Sequence, residues 1–376
     1  MTEKPSSLRK SKIDRVFLGT TITLALIGFF IFTSASLGLR ARDAAAFSSI
    51  AFNQGFLGLF LGTAFMLIIA RVPYRFFYKY SLHIFILALA ATALVFVPGI
   101  GSTFGGASRW LIIGPISFQP AEFLKLAFVL YFASALFKSR NDINSLKEGI
   151  LPLIVIIGLT GLILLAQPNT SSFAVIFVAA VAMFIVSGAK WRYIFGAGAI
   201  ALCGIAFLAI ARPYVRERIM TFFDPASDSL GSSYQIQQSL IAVGSGKLFG
   251  RGFGQSIQKF GLLPEPIGDS IFAVAAEEFG FIGSTFLVAL FVAFAYRGLR
   301  IAIRSPDLFG GLVATGLVIM ITSQSFLNIS AMLGIVPLTG TTLLFVSHGG
   351  TALLFALVEV GILLNISSYQ TQKVVA

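Results

Sequence analysis

The chain has 376 residues, is 57% hydrophobic and 11% charged, and has a mean hydropathy of +0.91. A soluble domain carries roughly twice that charge fraction, and apolar runs of about 18 residues or more recur along the whole length, so a soluble enzyme is excluded. The net charge of +12 does not mark a nucleic-acid binder, because most Lys and Arg lie in short segments between apolar runs, where they set topology; the anionic partners it implies are membrane lipids or a phosphate-bearing lipid.

The N-terminus carries Lys4, Arg9, Lys10, Lys12 and Arg15 ahead of an apolar run from Val16. Ser34-Ala-Ser36 resembles a signal-peptide cleavage site, but the run is longer than an ordinary signal core, so it reads as an uncleaved first span. Ten spans are predicted, at 16–37, 53–71, 80–98, 117–137, 149–166, 171–189, 191–211, 271–296, 308–330 and 340–366. The fold class is therefore an all-α polytopic membrane protein. With the N-terminus inside, 17 Lys and Arg fall in inner segments and nine in outer ones, six of those nine in a single loop. Long loops count little in the positive-inside rule. Both termini are thus expected to be cytoplasmic and the long loop, about 212–270 between the seventh and eighth helices, extracytoplasmic. No fixed-period repeat and no inverted pair of halves is visible, and the chain reads as one membrane domain, 1–376.

The fourth span opens Gln119-Pro-Ala-Glu-Phe-Leu-Lys125. Glu122 and Lys125, three apart, share a helix face and can pair, either as a neutralised structural pair or as the wall of a polar cavity, since charges inside a membrane usually line something. Arg109-Trp110, just outside, suits an interfacial anchor or a phosphate clamp equally well. Gln167-Pro-Asn-Thr-Ser-Ser172 reads as a tight outer turn. In the long loop, Arg212-Pro-Tyr-Val-Arg-Glu-Arg-Ile219 suits a short amphipathic helix stopped by Phe223-Asp-Pro225, and Ser233 to Ala242 suits a second helix. Gly244 to Gly254 then packs five glycines around Lys247 and Arg251; it is neither a P-loop nor a dinucleotide fingerprint, and it is either a surface loop or a backbone cradle for phosphate.

Asp269 stands where the loop enters the eighth span. It could cap that helix, unless Ser270 does so and leaves the acid free. Glu277, eight residues on, is expected on the same face two turns deeper, with Ala273, Ala276 and Gly280 keeping that side slim. Two carboxylates under a basic loop suit a hydroxyl nucleophile and a phosphate leaving group. Near the C-terminus, Gly349-Gly350 suits a helix break or close packing, His348 reads as a core residue, and Glu359 needs a partner that the sequence does not name. The single Cys203 cannot form an internal disulfide, and two distant histidines, His83 and His348, argue against a Cys/His metal site.

Together these motifs resemble the SEDS family (shape, elongation, division and sporulation), to which RodA, FtsW and SpoVE belong. The resemblance runs from the first span to Gly350. Its carriers are Gly106-Ala-Ser-Arg-Trp110 with Gln119 to Lys125, Gln167-Pro168, Arg218-Ile with Phe223-Asp-Pro225, Tyr234-Gln-Ile-Gln-Gln-Ser-Leu240, Gly244 to Gly250, Leu263-Pro-Glu265 with Asp269, Glu277-Glu278, Pro337-Leu-Thr-Gly340 and Phe345 to Gly350. The spacing from Gly252 to Pro264 looks more like the FtsW/SpoVE branch. The resemblance implies ten helices, a peptidoglycan glycosyltransferase that polymerises lipid II, Asp269 as essential acid, and Arg109, Glu122 and Lys125 in or beside a central cavity. It also implies a class B penicillin-binding protein as partner and the bacterial cytoplasmic membrane as location. The chain departs from the pattern at Asn169, where Asp is usual, at Ser171, near which a Gly is expected, at Gly268 and Ser270, where Thr and Phe are common, at Leu344, where Pro is usual, and at His348, where Tyr is usual.

The expected reaction is inverting. The acceptor 4-hydroxyl attacks the anomeric carbon of a chain on undecaprenyl pyrophosphate, Asp269 takes the proton, and Arg109, Arg218, Lys247 and Arg251 are the candidates to stabilise the leaving group, with a divalent cation such as Mg or Mn and no organic cofactor. Two rival readings use the same residues: a lipid II flippase, and a non-catalytic membrane scaffold for a penicillin-binding protein.

Overall fold

The computed structural model describes residues 13–99, 101–104, 107–114, 116–224 and 233–369. The predicted topology cations Lys4, Arg9, Lys10, Lys12 and Lys373, with Gly105, Gly106 and Pro225 of the motifs, lie outside the described residues. Thirteen α-helices are described, in the order α1 Arg15–Arg42, α2 Ala44–Phe52, α3 Gly62–Ile69, α4 Arg75–Ala93, α5 Pro120–Lys138, α6 Leu151–Ala166, α7 Thr170–Val186, α8 Trp191–Ala211, α9 Pro213–Phe223, α10 Tyr234–Ser245, α11 Ile271–Ile303, α12 Leu308–Met332 and α13 Gly350–Ser367. A wide, π-type stretch, Asn53–Leu61, joins α2 to α3, so the three make one span, Ala44–Ile69. Among the described residues nine helical stretches are long and apolar enough to cross a membrane, and the tenth predicted span is the shorter apolar helix α7, 17 residues long. This is a multi-pass membrane protein.

Two details differ from expectation. Between α4 and α5 lies a small antiparallel sheet, β1 Gly101–Phe104, β2 Ala107–Ile113 and β3 Ile116–Phe118, in the order β1-β2-β3; its strands are too short for hydropathy to register. The last span was expected from residue 340, but α13 begins at Gly350. Leu343, Leu344, Phe345 and Val346 read as membrane helix by hydropathy, yet they are buried in irregular backbone. Such backbone is tolerated at membrane depth only where protein covers it and meets its polar groups. Here Gly349 N–H donates to Gln54 Oε1 (3.0 Å), Gln54 Nε2 donates to Ser347 O (3.2 Å) and Leu343 N–H to Ser347 Oγ (2.8 Å).

The core is built on α12 and α13. All of α13 but Leu354 and Phe355, which are partly buried, is buried, whereas α8 buries none. α13 approaches α3 closely because small residues meet there: a Cβ on Gly361 would lie 2.7 Å from Met66 O, and one on Gly62 would lie 2.8 Å from Leu357.

α11 is interrupted at Gly280, whose φ of 65° and ψ of −164° are non-helical. The Gly-rich segment 247–252 lies in the break and takes up the freed backbone groups: Arg251 N–H donates to Glu277 O (3.0 Å), Gly252 N–H to Glu278 O (2.9 Å), Phe281 N–H to Lys247 O (2.9 Å) and Ile282 N–H to Leu248 O (3.1 Å). The break therefore fastens the long loop to the membrane helix. A side chain on Gly280 would meet both a forbidden φ and the backbone of Gly250. Gly280→Ala is expected to destabilise by more than about 1 kcal/mol, measured as a lowered Tm of the detergent-solubilised protein.

Candidate active site

Asp269 precedes α11. Ser270 holds the N-cap position, but its side chain makes no capping bond, and its Oγ instead accepts from Gln235 Nε2 (3.0 Å). Asp269 lies one residue before the N-cap. Its backbone is held from several sides. Ile267 O accepts from His348 N–H (2.7 Å), Gly268 O from Ser347 Oγ (2.8 Å) and Asp269 O from Asn328 Nδ2 (2.7 Å). Glu265, with a left-handed φ of 46°, turns the chain so that its carbonyl accepts from both Gly268 N–H (3.0 Å) and Ser270 N–H (3.1 Å). The buried break before α13 thus serves the site: Ser347 and His348 hold the loop that presents the acid.

The Asp269 side chain is half-buried and faces a cavity of about 510 Å³. Arg109 from β2, Tyr214 and Arg218 from α9, Gln235 from α10, Asn328 from α12 and the segment Gly334–Gly340 share its walls. Among the described residues no ion pair within 4 Å engages the carboxylate. Burial first, then the Glu265 charge, push its pKa up to about 6, against the opposing pull of Arg218 and Arg109. The guanidiniums are fixed by backbone carbonyls: Arg218 donates to Thr339 O (2.9 Å), and Arg109 to Gln167 O (3.3 Å) and Pro168 O. Burial and the Arg218 charge lower the pKa of Arg109. Two cations share a half-enclosed cavity with Asp269 and Glu217, and among the described residues neither arginine is in an ion pair within 4 Å, an arrangement suited to an anion from outside the chain. Gly340 keeps the centre open; at its φ of 66° a Cβ would lie 3.3 Å from Arg218 and 3.5 Å from Asp269 Oδ2.

The other sequence candidates lie elsewhere. Glu122 and Lys125 form a buried pair at 2.7 Å, with Lys125 also on Gln324 Oε1 at 2.5 Å. They do not line the Asp269 cavity; near Glu359, Lys125 is the attracting cation and Glu122 a like charge. Arg251 pairs with Glu277 at 3.3 Å, and Lys247 lines a separate cavity of about 390 Å³ between α10 and α11. The structure does not bring Lys247 and Arg251 to Asp269. The N–H groups of Gly250, Arg251 and Gly252 are already donated to Gly246, Glu277 and Glu278, so the phosphate-cradle reading of this loop is corrected: the glycines let it enter the α11 break. The expectation of Glu277 beside Asp269 is corrected as well. Asp269 lies before the helix begins, where helical phasing does not apply, and Glu277 instead accepts from Ser256 Oγ (2.6 Å), Ile257 N–H (3.1 Å) and Gln258 N–H (3.3 Å). Sequence reasoning missed Gln235 and Asn328 as cavity residues: Gln235 is one of three glutamines in α10 with nothing to single it out, and Asn328 is one amide in an apolar span, which gives no periodic signal.

The family model for FtsW, RodA and SpoVE, described as "Cell cycle protein", matches residues 14–372. The chain is 37% identical over 368 residues to "Stage V sporulation protein E" of Bacillus subtilis (strain 168), covering 96% of this chain and 98% of that one. It is 34% identical over 362 residues to "Probable peptidoglycan glycosyltransferase FtsW" of Geobacter sp. (strain M18), covering 94% and 96%. Among solved structures it is similar, with a TM-score of 0.78 and 25% identity, to a chain from "Structural coordination of polymerization and crosslinking by a peptidoglycan synthase complex", covering 96% and 99%. It is also similar to the rod shape determining protein RodA of Thermus thermophilus, with a TM-score of 0.69 and 25% identity, covering 96% and 98%.

Proposed function

The chain belongs to the FtsW/RodA/SpoVE family and is a peptidoglycan glycosyltransferase, and from that premise we propose that it polymerises lipid II with Asp269 as general base. The observation that carries this reading is the Asp269 carboxylate, engaged by no ion pair within 4 Å among the described residues, sharing one cavity with Arg109 and Arg218. The acceptor 4-hydroxyl, placed within hydrogen-bond reach of Asp269, gives up its proton as its oxygen bonds to the anomeric carbon on the face opposite the leaving group. The bond from that carbon to the pyrophosphate oxygen breaks, and undecaprenyl pyrophosphate leaves with the electron pair, inverting the centre. Arg109 and Arg218 hold the leaving phosphates. Among the described residues no three His, Cys, Asp or Glu side chains gather as a metal cage. A Mg or Mn ion would be held by the Asp269 carboxylate together with the substrate's phosphates, whose charge it would neutralise.

The partner is a class B penicillin-binding protein, supported by the likeness to a chain of a peptidoglycan synthase complex. The membrane is the bacterial cytoplasmic one, with both termini inside and the Asp269 cavity facing out. The deciding experiment gives purified protein lipid II and a divalent ion, with and without the penicillin-binding protein, and looks for glycan strands. Their absence under both conditions contradicts the reading. Arg218→Ala is expected to lower the polymerisation rate about 10²-fold, and Arg218→Lys to recover only part of it, because an ammonium cannot reproduce the two-pronged hold on phosphate; gel-resolved strand synthesis under single-turnover conditions measures both.

A further inference from the structure

Arg218 sits on α9, a helix that apolar packing does little to place. α8 buries none of its residues and α9 buries Thr221 alone, while Met220 and Phe223 are exposed. The two helices are not continuous either, because Arg212 between them is extended, with φ −127° and ψ 108°. Burial is non-directional, so the register of such a helix falls to directional polar bonds. Two of these lie four residues apart on one face of α9, the face that lines the Asp269 cavity. Arg218 donates to Thr339 O (2.9 Å), and the Tyr214 hydroxyl is hydrogen-bonded to Thr170 Oγ1. Thr170 opens α7, and the turn just before it already holds the other cation, since Arg109 donates to Gln167 O (3.3 Å) and Pro168 O. Ser171 Oγ, next along, donates to Thr339 O, the carbonyl that also accepts from Arg218. One turn of chain, 167–171, is thus bonded to β2, to α9 and to the segment that holds Arg218.

We infer that Tyr214 is a positioning residue for the leaving group: its bond to Thr170 registers α9 against the turn that holds Arg109, and so sets the spacing of the two guanidiniums that receive the pyrophosphate. The Arg218–Thr339 bond fixes one point of α9 and leaves the helix free to swing about it. The Tyr214–Thr170 bond, about one turn away, removes that freedom. A pyrophosphate carries two phosphates at a fixed separation, and two cations hold both only at a matching separation. Without the Tyr214 bond each arginine still meets a phosphate, but the two meet the same pyrophosphate less often. Tyr214 therefore acts through Arg218 and not on the reacting atoms. This inference rests on the lipid II reading above and adds to it the device that aligns its leaving-group cations.

The test is a set of double-mutant cycles on lipid II polymerisation. Tyr214→Phe and Thr170→Val each remove one hydroxyl at nearly constant shape. Each is expected to lower kcat/KM about 3- to 10-fold, the effect of losing one hydrogen bond, and to raise the inhibition constant of added undecaprenyl pyrophosphate by a similar factor. Combined, the two should cost no more than either alone, and Thr170→Ser, which keeps the hydroxyl, should stay within about twofold of the wild type. In Arg218→Ala neither change should cost more than about twofold further. If Tyr214→Phe does not fold, Thr170→Val and Thr170→Ser read the same bond. Three results overturn the inference: a Tyr214→Phe loss that Thr170→Val does not share, which puts the phenol on the substrate itself; a loss that persists in full in Arg218→Ala; and a lowered Tm with rate and inhibition constant unchanged, which makes the bond structural only. Each of these leaves the lipid II reading intact. Failure of the wild type to polymerise lipid II defeats that reading and this inference together.

Discussion

Asp269→Asn is expected to slow lipid II polymerisation by about 10²–10⁴-fold, the range lost with a positioned base, while the protein folds as well as the wild type. The change keeps the shape of the side chain, and no ion pair within 4 Å depends on the carboxylate among the described residues. The raised pKa of about 6 fixes the sign of two pH effects. A base must be ionised, so the wild-type rate should fall tenfold per unit as pH drops below about 6, and the residual rate of Asp269→Asn should lack that limb. The folded-state value also lies above the ordinary 3.8. The group therefore favours folding most in its protonated form, at low pH, and that contribution is lost as pH rises through about 6. At neutral pH the ionised carboxylate opposes folding, so Asp269→Asn, neutral at all pH, should show a Tm equal to or above that of the wild type at pH 7.5 and no advantage at pH 4. A variant that polymerises at the wild-type rate would remove Asp269 from the chemistry.

Some of this architecture was legible in the sequence. The spans were, because an apolar helix must satisfy its backbone alone and announces itself by length. The place of Asp269 was, because an acid where a polar loop enters a membrane helix stands out, and it lies just before α11 on a cavity wall. Lys247 and Arg251 were misjudged because charge and glycine content describe what a loop can do in isolation, while its N–H groups had already gone into the gap that Gly280 opens in α11. The irregular segment before α13 was misjudged because hydropathy reports burial and is silent on backbone shape. Ser347 and His348, which hold the loop of the base, lie 79 and more residues along the chain from Gly268. Pairings across that distance leave no trace in local spacing.

Breaking the pair between Lys259 and Glu278 is expected to be the most damaging change to the fold outside the cavity. The two side chains are 0% and 1% exposed and 2.7 Å apart. Ser34 of α1 donates to the Glu278 carboxylate at 2.6 Å, Lys259 Nζ reaches Ser34 Oγ at 3.1 Å, and Gly254 N–H donates to the same hydroxyl at 3.2 Å. One knot therefore ties α1, α11 and the loop that runs on to Asp269. Removing either ion leaves the other buried and uncompensated, which costs about 3–5 kcal/mol, whereas exchanging both for apolar groups of similar volume is often neutral. Lys259→Met and Glu278→Leu should each lower Tm sharply, and the double variant should recover most of the loss, a coupling that additive effects cannot produce. Function should separate from stability in the double variant. Without the knot the loop keeps its backbone bonds to α11 but loses its tie to α1, so Asp269 meets the acceptor hydroxyl less often in reacting geometry, and the rate should fall with KM little changed. If the double variant instead matched the wild type in rate as well as Tm, the knot would be an element of stability alone, and the position of the base would rest on Asn328, Ser347 and His348.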